Sequence, residues 1–188
     1  MLEAVVSHYE NALATHGATA RGVDWKDAAG QRRRFELLLQ DIPIGHSIND
    51  LGCGYGAMSE GIDKYVGYDI SEQMIAAARE KYPCQQFILG GADGLLEADW
   101  TLASGLFNVK CGAKEWEWEA YIIRTLLQMA NASRHGIGFN MLCDLATQRR
   151  EDLYYGSTQT YMLWALNQGW RISVYQDVKH EFTLIARF

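Results

Sequence analysis

The sequence predicts an α/β chain built on a mostly parallel sheet, and three observations carry that prediction. From Ser47 onward, short apolar runs ending in glycine or an acid alternate with amphipathic helical stretches. The first of those runs passes directly into a turn holding Gly52, Gly54 and Gly56 at alternate positions. The chain then finishes on two alternating stretches, Arg171 to Tyr175 and Glu181 to Phe188, joined by a short polar loop, which is the pattern of an antiparallel hairpin at a sheet edge.

Taken in order, the elements begin with helix. Ala4, Val5, Tyr9 and Leu13 recur at helical spacing, and a break follows through His16-Gly17 and Arg21-Gly22. A further helix, Ala28 to Gln40, is stopped by Pro43, since a proline biases the residue before it away from helix. The strand rhythm then runs through Ile48 to Leu51, Tyr65 to Asp69, Gln86 to Leu89, Trp100 to Ala103 and Gly136 to Leu142. After the glycine turn a short helix containing Ala57, Met58 and Glu60 is expected. Ser71 to Lys81 is better marked, with Ser71 as N-cap, Glu72 in the first turn and Met74, Ile75 and Ala78 on one face. Two later helices are expected over Trp116 to Ala130 and Thr158 to Gln168, the second ending at Gly169.

Bulk properties bound the function. The 188 residues, 48% hydrophobic and 21% charged, suit one domain, in which residues 1–46 would form a helical cap and 47–188 a core. No apolar run approaches the roughly 18 residues of a membrane span, and Met1 to His8 lacks a signal-peptide pattern, so the expectation is a cytoplasmic protein without membrane partners. Cys53, Cys84, Cys111 and Cys143 lie far apart, which suggests free thiols and no metal site. A formal net charge of -6 disfavours nucleic acid, and Arg32-Arg33-Arg34 reads as the solvated side of a helix. A small-molecule substrate fits better, taken up by a monomer or homodimer.

The chemistry concentrates at the glycine turn, Asp50-Leu51-Gly52-Cys53-Gly54-Tyr55-Gly56. Glycines there permit positive φ and close approach of backbone to a ligand, and a following helix would offer free N–H groups. A nucleotide-like cofactor is implied. Gly52, Gly54 and Ala57 also satisfy a dinucleotide fingerprint, so an NAD-binding oxidoreductase or nucleotide-sugar enzyme is a competing reading. Two acids bear on the choice. Asp50, ending the first strand, would repel a pyrophosphate but could accept from the ammonium of a methionine moiety. Asp69, ending the second, can accept both hydroxyls of a ribose, a role common to both cofactor types.

At these residues the chain resembles the class I S-adenosylmethionine (SAM)-dependent methyltransferases. The turn from Asp50 to Gly56 looks like that family's first motif, Tyr68-Asp69-Ile70-Ser71 with Met74 its second, and Ala98 to Ser104 its fourth strand. The resemblance implies a three-layer, Rossmann-like fold with a seven-stranded sheet whose last strand is inserted antiparallel. It implies SAM as methyl donor and S-adenosylhomocysteine as product. It also implies that Asp93 lies near the adenine amine, that Ile70 or Ala92 packs on the adenine face, and that Ser104 or Asn108 meets cofactor or acceptor. Weaker likenesses to a bacterial subgroup of unassigned substrate cover Tyr9, His16-Gly17, Trp25, Arg34-Phe35 and Phe139 to Leu142. They suggest Tyr9 and Arg34 as partners of the methionine carboxylate.

Methyl transfer from a sulfonium requires alignment of the acceptor, exclusion of water and sometimes removal of a proton. The segment Ser104 to Asn108 lacks both the Asn/Asp-Pro-Pro-Tyr pattern of amino-methylating enzymes and a Pro-Cys nucleophile. Transfer to an oxygen or nitrogen of a small molecule is the resulting expectation. No general base stands out among His16, His135, Asp144, His180 and Glu181, and His16, in the N-terminal cap, is the foremost candidate. A SAM-binding module without catalysis is therefore a second alternative. Trp116 and Trp118 are candidates for an apolar acceptor pocket.

Overall fold

The computed structural model describes residues 2–188. Two helices come first, α1 (Leu2–His16) and α2 (Ala28–Leu39), separated by a 3-10 turn at Ala20–Val23. Then follow β1 (Ile48–Leu51), β2 (Tyr65–Asp69), α3 (Glu72–Lys81), β3 (Gln86–Leu89), β4 (Ala98–Ser104), α4 (Glu115–Asn131), β5 (Ser133–Leu142), α5 (Thr158–Asn167), β6 (Arg171–Tyr175) and β7 (Glu181–Arg187). The seven strands form one sheet in the order β3-β2-β1-β4-β5-β7-β6. β7 is antiparallel to both β5 and β6, and the other pairings are parallel.

Strand alternation sorts the side chains onto two faces. Leu51, Tyr68, Ala103, Phe139, Met141, Phe182 and Leu184 share one core with Trp118, Ile122, Leu126 and Met129 of α4 and with Tyr161 and Ala165 of α5. Ile48, Trp100, Leu102 and Ile185 turn to the other face and pack on Leu38 of α2 and Ile75 and Ala78 of α3. The sheet is thus the middle of three layers, as the sequence predicts. Local signals match: the Ser71 hydroxyl caps α3 by accepting from the Met74 N–H at 3.1 Å, and Gly169 follows α5 with φ +82°.

The expected helix after the glycine turn is not formed. That segment is a single 3-10 turn, Ala57–Ser59, and Glu60 is already extended. Gly56 enters it with φ +82° and Gly61 leaves it with φ +80°, so two left-handed residues bracket a stretch too short for an α-helical hydrogen-bond ladder. Backbone donors here come from the glycine loop itself, not from a helix end.

Candidate active site

Strand order reverses direction between β1 and β4: from β1 the chain builds outward through β2 and β3, then returns to β4 on the other side. Loops leaving the carboxyl ends of β1 and β4 part at such a point, and a crevice opens between them. The loop after β1 is the glycine turn, and the loop after β4 is Ser104-Gly105-Leu106. They touch at Gly52, whose φ is +77° and where an added Cβ would stand 2.8 Å from the Leu106 side chain. Gly54, with φ +54°, meets Val23 of the N-terminal segment in the same way at 2.9 Å. Both positions therefore need glycine for conformation and for space.

The two acids read from the sequence sit on this crevice in different states. Asp69 is anchored by backbone: its Oδ2 accepts from the Gly54 N–H and its Oδ1 from the Ser71 N–H, each at 2.9 Å. Burial raises its pKa, and those hydrogen bonds act against the rise. Asp50 is 2% exposed and receives one protein hydrogen bond, from the Tyr65 hydroxyl at 2.6 Å. Burial is the chief reason its pKa is pushed up to about 7; the Tyr65 bond opposes this and the Asp69 charge adds to it. A carboxylate so placed is short of a counter-cation. The same burial, with Asp50 and Asp69 close by, drives up the Cys53 thiol, whose Sγ packs beside Gly67 and donates to the Gly54 carbonyl at 3.6 Å.

A cavity of about 490 Å³ spreads from this crevice. Its floor comprises Asp50, Leu51, Gly52, Cys53, Gly54 and Ser104 to Leu106. One end is made by Asp69, Ile70, Ser71 and Met74 with Gly90, Gly91, Ala92 and Asp93. Leu2, Val5, Val6 and Tyr9 of α1 close it from above, and Trp118, Tyr121, Arg124, Thr125 and Gln128 of α4 line a side. Val23, Trp25, Gln31 and Phe35 supply the remaining wall. Aliphatic and aromatic walls are interrupted by polar side chains, among them Gln31, Asp50, Asp69, Asp93 and Arg124, a make-up compatible with a small-ligand site.

Most sequence candidates converge here: Tyr9, Asp50, Gly52, Cys53, Gly54, Asp69, Ile70, Met74, Ala92, Asp93 and Ser104 all border the cavity. Tyr55 and Gly56 do not. The Tyr55 hydroxyl turns back to donate to Gln31 Oε1 at 2.7 Å, and Gly56 is pressed against the Phe87 ring. Arg34 also lies outside, which corrects the expectation of a ligand contact. Its guanidinium pairs with the Glu181 carboxylate of β7, donates from Nη1 to the Gly30 carbonyl at 2.7 Å and stacks on Trp25 at 4.2 Å. With those partners it serves as a clamp on the Trp25 wall.

His16 is exposed at the end of α1 and does not border the cavity. His180 has φ +64° in the β6–β7 loop, while Glu181 is consumed by Arg34. Asn108 is a local brace, its Oδ1 accepting from the Leu142 N–H at 3.0 Å. Trp118 is fully buried, donating from Nε1 to the Phe107 carbonyl at 2.9 Å, whereas Trp116 is 65% exposed and absent from this cavity. His46, Asp99 and His135 bring potential ligand atoms within 4.8 Å of one another at the opposite end of the sheet. His46 Nδ1 accepts from Trp100 Nε1 at 3.1 Å, and the Asp99 carboxylate accepts from the Ser47 backbone and hydroxyl and faces Arg134, so two of the three are already engaged with other groups. Gln31, Tyr121, Leu2 and Val5 are not legible from sequence as cavity residues; their helical periodicity marks a buried face without saying what that face meets.

A family profile described as "Methyltransferase domain" matches residues 49–103, from β1 through β4. A Mycobacterium tuberculosis (strain ATCC 25618 / H37Rv) protein named "Putative methyltransferase Rv1506c" is 41% identical over 120 residues, covering 58% of this chain and 72% of that protein. Among solved structures, a DhpI complex with SAM aligns with a TM-score of 0.68 over 100% of this chain and 97% of its own, at 14% identity. The Burkholderia thailandensis 1,6-didemethyltoxoflavin-N1-methyltransferase aligns with a TM-score of 0.70, at 14% identity, over 98% of this chain and 87% of its own. At that identity the two structures speak to the fold alone, while the mycobacterial relative speaks to descent. The chain belongs to the class I SAM-dependent methyltransferases.

Proposed function

We propose that the chain moves the methyl group of SAM to an oxygen or nitrogen of a small molecule held between α1, α4 and the loop after β4. The observation that carries this reading is the extent of the cavity: beyond the strand ends it continues between Leu2, Val5 and Val6 on one side and Trp118 and Tyr121 on the other. That second portion has apolar side chains on both sides, which would help to exclude water from an in-line transfer.

On this reading Asp69 accepts from the ribose hydroxyls and Asp50 from the methionine ammonium, the cation its buried carboxylate lacks. Gly52, Cys53 and Gly54 present backbone at close range, Tyr55 and Gly56 shape the turn, and Ile70, Met74 and Ala92 flank the adenine with Asp93 near its amine. Ser104 stands where the methyl group would leave, with its hydroxyl accepting from Asn140 Nδ2 at 3.2 Å. Tyr9 would cover the cofactor, its phenol kept neutral by burial and nearby acids. No general base is assigned, because an acceptor that is already nucleophilic needs only alignment. Residues 1–46 then act as the cap of a 47–188 core. A monomer or homodimer in the cytoplasm is proposed with it, and no described helix is long and apolar enough to cross a membrane.

Support from relatives is of the same kind: the Burkholderia enzyme, by its name, methylates a ring nitrogen of a small molecule. Incubating the protein with methyl-labelled SAM and a small-molecule extract should transfer label to a low-molecular-weight product. Label appearing only in macromolecules would overturn the proposal.

A further inference from the structure

With Arg34 displaced, Tyr9 is what is left on the cavity of the two partners expected for the methionine carboxylate, and the structure assigns the second place to Gln31. This rests on the cofactor placement proposed above. With Asp69 at the ribose and Asp50 at the ammonium, adenine lies toward β3 and the amino acid toward β1 and β4. The carboxylate is bonded to the same carbon as the ammonium, so its partner must lie beside Asp50 on that side. α2, which carries Gln31 in its first turn and a half, packs on β4, β5 and β7. Arg124 is the one cation lining the cavity among the described residues, but its helix packs against Ala92–Gly94, at the adenine end.

Gln31 is 6% exposed and lines the cavity. Its Oε1 accepts from the Tyr55 hydroxyl at 2.7 Å, which leaves the NH₂ group on the side of the amide away from Tyr55. No partner for that nitrogen is found among the described residues. An amide nitrogen that has no protein partner and belongs to a residue lining a ligand cavity can serve an acceptor there, and a carboxylate is the strongest one available. Tyr55, inside the glycine turn yet outside the cavity, thereby gains a purpose: it is the positioning residue that aims Gln31.

The test compares S-adenosylhomocysteine with 5′-methylthioadenosine, which has the adenine, ribose and sulfur but no amino acid, by calorimetry on the full chain. Gln31→Ala should weaken S-adenosylhomocysteine roughly 10- to 100-fold, the range for a hydrogen bond to a charged group, and leave 5′-methylthioadenosine unchanged. Gln31→Glu keeps the shape and adds repulsion, so it should lose at least as much for the first ligand and nothing for the second. It also serves if the alanine variant does not fold. Tyr55→Phe should give a smaller loss with the same selectivity. Unchanged S-adenosylhomocysteine affinity in Gln31→Glu, or equal losses for both ligands, would overturn the assignment. Failure of the unmodified protein to bind either ligand would instead strike the cofactor placement itself.

Discussion

At the scale of single residues, two aspartates of one type have been given different work by their surroundings. Asp69 is met by two backbone N–H groups and Asp50 by one phenol in a fully buried position. Folding holds the Asp50 pKa at about 7, above its unfolded value, so the folded chain binds the extra proton between these limits. Its contribution to apo stability is therefore present at low pH and is lost as pH rises through about 7, at about 1.4 kcal/mol for each pH unit between the unfolded and folded values. Cofactor binding should run the other way, because only the ionised carboxylate can take an ammonium. Calorimetry should find S-adenosylhomocysteine about tenfold weaker at pH 6 than near pH 7.5. Asp50→Asn should abolish that dependence, raise apo stability above neutrality and weaken binding. A flat pH profile in the unmodified protein would refute the role. Asp69→Ala should weaken binding by about 1.5–3 kcal/mol, and a folded variant of unchanged affinity would dismiss it as the ribose acceptor.

At the scale of elements, the contrast between Ser71 and Arg34 explains what can be read in advance. Ser71 caps a helix through the N–H three residues on, an interaction written in adjacent sequence. Arg34 is answered by Glu181, 147 residues away on β7, and nothing local distinguishes it from a ligand-binding arginine. The strands and α3 are legible for the first reason, as are Asp50 and Asp69, which stand where strand meets loop. The helical cavity walls are not, since periodicity gives a face without its neighbour. The short turn at Ala57–Ser59 departs from the expected helix because the glycines at both ends act as limits on helix length as well as loop chemistry. Arg34→Met should leave the Glu181 carboxylate buried and unpaired, costing about 3–5 kcal/mol in urea unfolding. Replacing Glu181 by Gln as well should recover much of that. S-adenosylhomocysteine affinity of the folded single variant should change little; a large loss without destabilisation would return Arg34 to the ligand.

For the molecule as a whole, ligand and fold are coupled through the cavity, because α1, α4 and the strand ends all border it. S-adenosylhomocysteine at 100 times its Kd should stabilise the chain by about 2.7 kcal/mol. For a chain of this length that is roughly 5–10 °C in Tm. NAD at the same concentration should give no shift, and a shift with NAD alone would revive the dinucleotide reading of Gly52, Gly54 and Ala57. The C-terminal hairpin is the most informative whole-chain feature of the sequence, since inserting β7 between β5 and β6 depends on order along the entire chain and not on any one motif.

The division of the cavity between strand ends and helices has a consequence for how such a chain can change. Asp50, Asp69 and Ser104 are fixed by a sheet whose every register would have to move with them. Leu2, Val5 and Tyr121 project from helix surfaces, where one side chain can be exchanged without disturbing a single inter-strand hydrogen bond. Drift in sequence should therefore accumulate on the helical half of the cavity while the strand-end half stays still, and, on the proposed placement, descendants of one ancestor can part ways over what they modify while drawing on the same reagent.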